Sequence, residues 1–467
     1  MILSYITEFV TEFSKYAIAI CMALYTYECF AVFRFQGIHA EEERRGIYSR
    51  QKLLIFLVQL LCFLNLIVAK WDIKYLFFYG LVQVFLLTAL SVTGIVYDHG
   101  SRLFANNMCM LLGLGLCLIS RLSYQKAMKQ YVIILASFMI AIFVPMIFNK
   151  WSTFWIKLPW VYAAVGLFFL NAVLILGQVT YGSKISYTIH GITFQPSELV
   201  KLLFALFLAA ALWEDTSLKR VAVTTVLAAA HVLILVFSKD LGSALIFFVC
   251  YLFVLLSATK NYWYFAAGLL GGVLASIASY FLFDHVKVRV LAYLDPWSYI
   301  DKEGYQITQS LFAISNGGFF GTGLFQGNPT SIPFVDADFI FSAVCEELGV
   351  LVGICLVLIC VSSFIMTMDI CVRLQDGFYR LIAYGLGIMY LFQIFLTVGG
   401  GIKFIPLTGV TLPFVSYGGS SILTSMLMFY MLQAVHIRLQ QEGEERIARK
   451  QKGRQAPSQT KHPGQTP

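Results

Sequence analysis

Eight ionisable side chains interrupt or border long apolar stretches of this sequence: Glu28, Glu198, Lys201, Asp240, Asp338, Glu346, Glu347 and Lys403. A charge in such a setting is costly unless paired or wetted, so each marks a candidate site. In FQPSELVK the proline suits a helix start, Ser197 can help cap it, and Glu198 and Lys201, three residues apart, are neighbours on one helix face. They make either an ion pair within a site or a pair that only neutralises itself near the membrane interface. Asp240, in SKDLGSA, stands at a helix end, where it serves a site or complements the N-terminal dipole. Asp338 lies in VDADFIFSAVCEELG, where a polar loop becomes an apolar helix. A carboxylate there suits a general base acting on a substrate that is half lipid and half sugar or phosphate. Equally, Asp336 or Asp338 is placed to accept from the free amides of a first helical turn. Glu346 and Glu347 follow about 12–13 Å further along a helix, as internal pair partners or as acceptors that hold a loop.

Other chemistries find little support. The seven histidines never cluster with cysteine or carboxylate at metal spacing, and His231 reads as a packing residue. NGGFFGTG (316–323) neither follows a strand nor opens a helix in a βαβ unit, so it is not a nucleotide cradle. Its glycines permit tight turns or close backbone approach to a substrate. The ten cysteines fall within or at the ends of apolar blocks and read as packing residues rather than disulfides.

The elements that must position these residues follow from composition. Of 467 residues, 59% are hydrophobic and only 12% charged, and the mean hydropathy is +0.77; roughly a quarter are charged in a soluble domain. The apolar residues fall in blocks long enough to cross a bilayer as helices, which predicts an all-α polytopic membrane protein. Thirteen spans are expected, near 14–35, 53–70, 75–97, 103–121, 130–148, 159–179, 197–213, 219–237, 240–257, 263–283, 339–367, 380–399 and 418–436. The net charge of +8 comes from basic residues scattered in loops and a tail, so nucleic-acid binding is set aside. With the N-terminus outside and the C-terminus cytoplasmic, every arginine except Arg121 and Arg289 falls on the cytoplasmic side. The N-terminus has no basic region before its first apolar block, so that block is expected to be a retained helix and not a cleaved signal. Residues 284–338 form an outer loop too long for a mere connection. The tail, 438–467, begins as a charged helical continuation and ends in polar sequence expected to be disordered.

The ordered set FQPSELVKL (194–202), KDLGSALIFF (239–248), DPWSYIDKEGYQITQSLFAISNGGFFGTGL (295–324), DFIFSAVCEELG (338–349) and PLTGVTLPFVSYGGSS (406–421) resembles the SEDS family of FtsW, RodA and SpoVE. The resemblance covers about 103–437 and implies a ten-helix core at 101–437, preceded by a three-helix extension at 1–100. It implies a multi-pass cell-membrane glycosyltransferase that polymerises lipid II into peptidoglycan strands, in division, elongation or sporulation, beside a class B penicillin-binding protein that crosslinks them.

In that chemistry a sugar 4-hydroxyl attacks the anomeric carbon of a donor carrying polyprenyl pyrophosphate. The family's essential acid falls on Asp338, which would be the base. The same motifs imply substrate-binding roles for Gln195, Glu198, Lys201, Asp240, Gln306, Gln309 and Ser416, and supporting roles for Glu347, Tyr417, Gly418 and Gly419. Lys201 would hold Glu198 or contact pyrophosphate, with Arg289, Lys287, Lys239 or a divalent cation as further neutralising groups; no motif demands a cofactor. The sequence departs from the family at Pro333 to Ala337, where a glutamate and a histidine are missing and Asp336 is added. It departs again at SYTIHG (186–191), which leaves Lys184 as the nearest cation, and at Ser238-Lys239. A lipid-precursor flippase and a non-catalytic scaffold recruiting a penicillin-binding protein are the competing readings. Concentration of the acids near the outer face favours chemistry over flipping.

Overall fold

The computed structural model describes residues 2–35, 40–180, 183–189 and 192–455. Its helices run in order as α1 (Ile2–Ala31), α2 (Ala40–Lys70), α3 (Ile73–Val96), α4 (Arg102–Leu122), α5 (Tyr124–Ala141), α6 (Val144–Lys150), α7 (Ser152–Ile156) and α8 (Pro159–Leu176). After a small sheet come α9 (Pro196–Leu212), α10 (Leu218–Phe237), α11 (Leu241–Thr259), α12 (Tyr262–Leu282), α13 (Asp284–Leu294) and α14 (Tyr305–Gly317). The chain closes with α15 (Ile340–Leu348), α16 (Val350–Arg373), α17 (Gly377–Gly401) and α18 (Gly419–Gln455). Local signals set several starts: Asp72, Ser123, Asp240, Asn261 and Asp376 each accept a backbone N–H of the first turn that follows. Proline opens α8 and α9.

The protein is all-α and polytopic. Among the described residues, twelve helical stretches are long and apolar enough to cross a membrane. The expected span at 197–213 is α9, which has 17 residues and lies almost wholly inside the bundle. At the centre α4 is buried from Leu103 to Ser120. It packs against α2, α3 and α5, while α9 packs against α8, α11 and α17. All ten cysteines are free and buried.

Two stretches differ from the expected helix pattern. The span expected at 339–367 is broken at Gly349, which has φ +93° and separates α15 from α16. The backbone groups freed there are taken by the segment after α14: Val350 and Leu351 donate to the carbonyls of Gly318 and Phe319, and Thr322 and Gly323 donate to those of Glu346 and Glu347. A Cβ at Gly349 would lie 2.5 Å from the Gly321 nitrogen, so only glycine fits this crossing. The second difference is an antiparallel sheet of β1 (Gln178–Thr180), β2 (Ser183–Ile189) and β3 (Ile192–Phe194) in order β1-β2-β3. The middle strand, SKISYTI, is rich in β-branched and aromatic residues, and β3 delivers the chain directly to Gln195 at the start of α9.

The long segment 284–338 is not a plain loop, since it contains α13 and α14. The N-terminal helices lie against the core, with α1 packing on α2 and α16. The charged start of the tail continues α18 to Gln455, and residues 456–467 lie outside the described ones.

Candidate functional site

A cavity of about 660 Å³ opens where β3, α13, α14 and the segment before α15 meet the 405–421 segment. Asp338 stands on its wall, half-buried, with Gln195, Glu198, Asp240 and Gln306. Tyr417, Gly418 and Gly419 line it as well. Motifs spread over more than two hundred positions therefore converge on one chamber.

The local backbone fixes Asp338. Phe334, with φ +57°, turns the chain so that its carbonyl accepts the amides of Ala337 and Asp338. The Ser416 hydroxyl donates to the Ala337 carbonyl at 2.6 Å and accepts the Leu412 amide, while the Tyr417 amide donates to the Asp336 carbonyl at 2.7 Å. Gln130 of α5 closes the arrangement, donating to the Ser416 carbonyl and accepting from the Gly418 amide. Asp338 does not cap α15, whose N-cap is Phe339 with no side-chain cap bond. Of the two sequence readings the cap is therefore excluded, and the carboxylate is left facing the cavity. Across it lies Gly409, where a Cβ would come within 3.6 Å of Asp338 Oδ2.

Electrostatics separate the two neighbouring aspartates. Burial pushes the Asp338 carboxyl up to about 6; the Arg289 charge works against that rise and Asp336 adds to it. Asp336 is tied to Lys126 of α5 at 2.6 Å. Arg289 of α13 donates to the carbonyls of Leu407 and Thr408, and its charge acts on both Asp240 and Asp338. Lys126, Lys129, Lys239 and Lys302 also line the cavity. Among the described residues no three His, Cys, Asp or Glu converge as metal ligands; the positive charges on the wall belong to lysine and arginine side chains.

Asp240 serves two purposes. One oxygen caps α11 through the Ser243 amide, and the other accepts from Gln195 Nε2 and Ser197 Oγ, each at 3.0 Å. The dipole role read from sequence holds, and the same carboxylate ties the start of α9 to α11.

Several expected residues lie away from the cavity surface. Lys201 is buried, 2.8 Å from Glu198 and donating to Gln393, which in turn donates to the Thr411 carbonyl. Of its two expected roles the geometry provides the holding of Glu198, not a contact with pyrophosphate. Gln309 and Ser416 do not line the chamber, and Lys287 pairs with Asp284 instead. The side chain of Lys184 lies outside the described ones. Glu347 pairs with Arg121 at 2.9 Å and accepts the Phe325 amide, while Glu346 accepts the Asn328 amide. Both acids thus hold the segment between α14 and α15.

Sequence reasoning missed Lys126, Lys129 and Lys302 of the cavity wall. The signals were slight: Lys126 and Lys129 stand just before the expected span at 130–148, and Lys302 lies within the DPWSYIDKEGYQ stretch of the outer loop.

The FtsW/RodA/SpoVE family model, described as cell cycle protein, matches residues 103–441. The peptidoglycan glycosyltransferase RodA of Mycobacterium tuberculosis (strain ATCC 25618 / H37Rv) is 37% identical over 271 residues, 54% of this chain and 58% of the relative. The chain thus spans less than two thirds of the length of that protein. The probable peptidoglycan glycosyltransferase FtsW of Pseudoalteromonas translucida (strain TAC 125) is 30% identical over 368 residues, 74% of this chain and 89% of the relative. The fold is similar to a solved structure on structural coordination of polymerization and crosslinking by a peptidoglycan synthase complex, with TM-score 0.64 and 23% identity over 73% of this chain and 99% of that one. It is also similar to the rod shape determining protein RodA of Thermus thermophilus, with TM-score 0.53 and 20% identity over 72% of this chain and 96% of that one.

Proposed function

Because the chain belongs to the FtsW/RodA/SpoVE family, we propose that it is a peptidoglycan glycosyltransferase polymerising lipid II at the outer face of the cytoplasmic membrane. The observation that carries this reading is Asp338, an uncapped, half-buried carboxylate on the wall of a chamber ringed by cations. In the reaction Asp338 takes the proton of the acceptor 4-hydroxyl as its oxygen bonds to the donor's anomeric carbon. The bond from that carbon to the pyrophosphate oxygen breaks, and the developing charge is met by Arg289, Lys239 and Lys302. A class B penicillin-binding protein takes the product for crosslinking.

Polymerisation of labelled lipid II by the purified protein, with and without its penicillin-binding partner, tests the reading. Asp338→Asn should lower the rate by about 10²-fold or more, with the folded protein retained. Asp336→Asn should do less, because that carboxylate is engaged by Lys126. Wild-type protein that forms no glycan strands under any condition, yet still recruits the partner, would make it a scaffold.

The outer-face location rests on the arginine asymmetry, which puts the N-terminus outside and the tail in the cytoplasm. In a cysteine-free background, Thr7→Cys should react with an impermeant maleimide in intact cells and Ser458→Cys should not. The reverse pattern would invert the topology.

A further inference from the structure

At the opposite end of α4 from Arg121 and Glu347 a small cleft opens between α2, α3 and the start of α4. Two basic residues line it, Lys52 of α2 and Arg102 of α4, both half-buried and neither in any ion pair or hydrogen bond among the described residues. A partly buried cation without a counter-ion is unfavourable, and two sharing one cleft are more so. Helix α4 begins at the cleft, and no side chain caps its first turn. Ser101, the N-cap residue, lines the cleft and is 4% exposed, and its hydroxyl has no hydrogen-bond partner. Its backbone is occupied, the amide and carbonyl both bonded to the Gln433 side chain. Two further polar groups of the cleft are engaged: the Thr93 hydroxyl with Tyr430, and the Asn106 amide nitrogen, which donates to Gln51. Two cations, a helix N-terminus and one buried hydroxyl without a partner thus meet in a cleft that holds no carboxylate.

We propose that this cleft binds the phosphate ester of an anionic ligand, the headgroup of an acidic phospholipid. Helix N-termini hold phosphate through free amides and the dipole, and basic residues beside a membrane attract acidic headgroups. The volume of about 20 Å³ admits a phosphate oxygen while the rest of the group stays in the headgroup layer. Gly94 on α3 borders the cleft beside Arg102: a Cβ there would make an ordinary contact with Arg102 Nη1 at 3.8 Å, and a longer side chain would enter the cleft. The cleft and the chamber share no lining residue, and α4, which starts at the cleft, runs about 30 Å away from it at 1.5 Å per residue. The site does not depend on the proposed reaction.

The test is displacement of a short-chain fluorescent phosphatidylglycerol from the full-length protein in detergent. Phosphatidylglycerol should compete better than phosphatidylcholine, and Arg102→Gln and Lys52→Gln should each weaken binding about five-fold. Gly94→Leu, which fills the cleft and leaves every charge in place, should weaken it comparably. Arg373→Gln, which removes a charge already paired with Asp369, should have no effect. Inorganic phosphate at matched ionic strength should displace the probe only weakly; displacement as strong as that by phosphatidylglycerol would overturn the lipid assignment in favour of a soluble phosphate. Equal binding by wild type, Arg102→Gln and Gly94→Leu would overturn the site, as would an equal loss in Arg373→Gln.

Discussion

Asp338 and Asp336 are two positions apart and differ in what surrounds them. Asp336 is engaged by Lys126, whereas Asp338 is held by its backbone with its carboxylate in the chamber, and burial pushes it up to about 6. A base works only when ionised, so polymerisation should rise as pH passes through about 6 and level off above. Arg289 opposes that rise, so Arg289→Gln should move the midpoint to higher pH, besides any loss in rate. A pH profile of single-turnover polymerisation reads this directly, and an unmoved midpoint would detach Arg289 from the base. At this scale much of the site is legible in the sequence. Asp338, Asp240 and Glu198 betray themselves as charges in apolar surroundings, and Gln195 and Tyr417 come with their motifs. Lys126 does not, because it meets Asp336 from 210 positions away, and nothing local to YQKAMKQ encodes that encounter.

The element that brings a buried ion pair to the site is α9. Its first turns carry Glu198 and Lys201 three residues apart, and the structure adds Gln393 of α17 as a further acceptor. Removing one partner of a buried pair strands the other, a loss of about 3–5 kcal/mol. Lys201→Met should therefore lower folded yield sharply in size-exclusion profiles of detergent extracts, and adding Glu198→Gln should restore the yield but not the activity. Full activity in the double variant would remove the pair from the site. The long spanning helices were legible from apolar length alone, whereas α13 and α14 fall inside the segment read as an outer loop; α9 fits because a buried helix need not match the bilayer. The break at Gly349 was not, since VCEELGVLVG reads as continuous apolar helix. What breaks it is the close approach of Gly321, a tertiary event. The sheet before α9 was hidden for a similar reason: its short strands carry too few residues to set a period.

On the scale of the whole molecule the N-terminal helices are joined to the core by polar as well as apolar contacts. Tyr25 of α1 donates to Asn107 of α4, whose amide nitrogen reaches Ser362 and Ser363 of α16. At the other end of α1, Tyr16 packs edge-on against Phe320, and Gly323 leaves room for the methyl of Thr11. The sequence announces three extra helices but not where they dock, because apolar faces in a membrane carry no address. This docking bears on the timing of local opening. Amides in the first turn of a helix ordinarily exchange quickly with deuterium, yet those of Val350 and Leu351 donate to Gly318 and Phe319. They should exchange as slowly as interior amides, opening only when the 317–323 segment lifts away, and α1 lies over that segment. Thr11→Trp, which would press on Gly323, should accelerate exchange at Val350 and Leu351 selectively and leave the α4 amides unchanged.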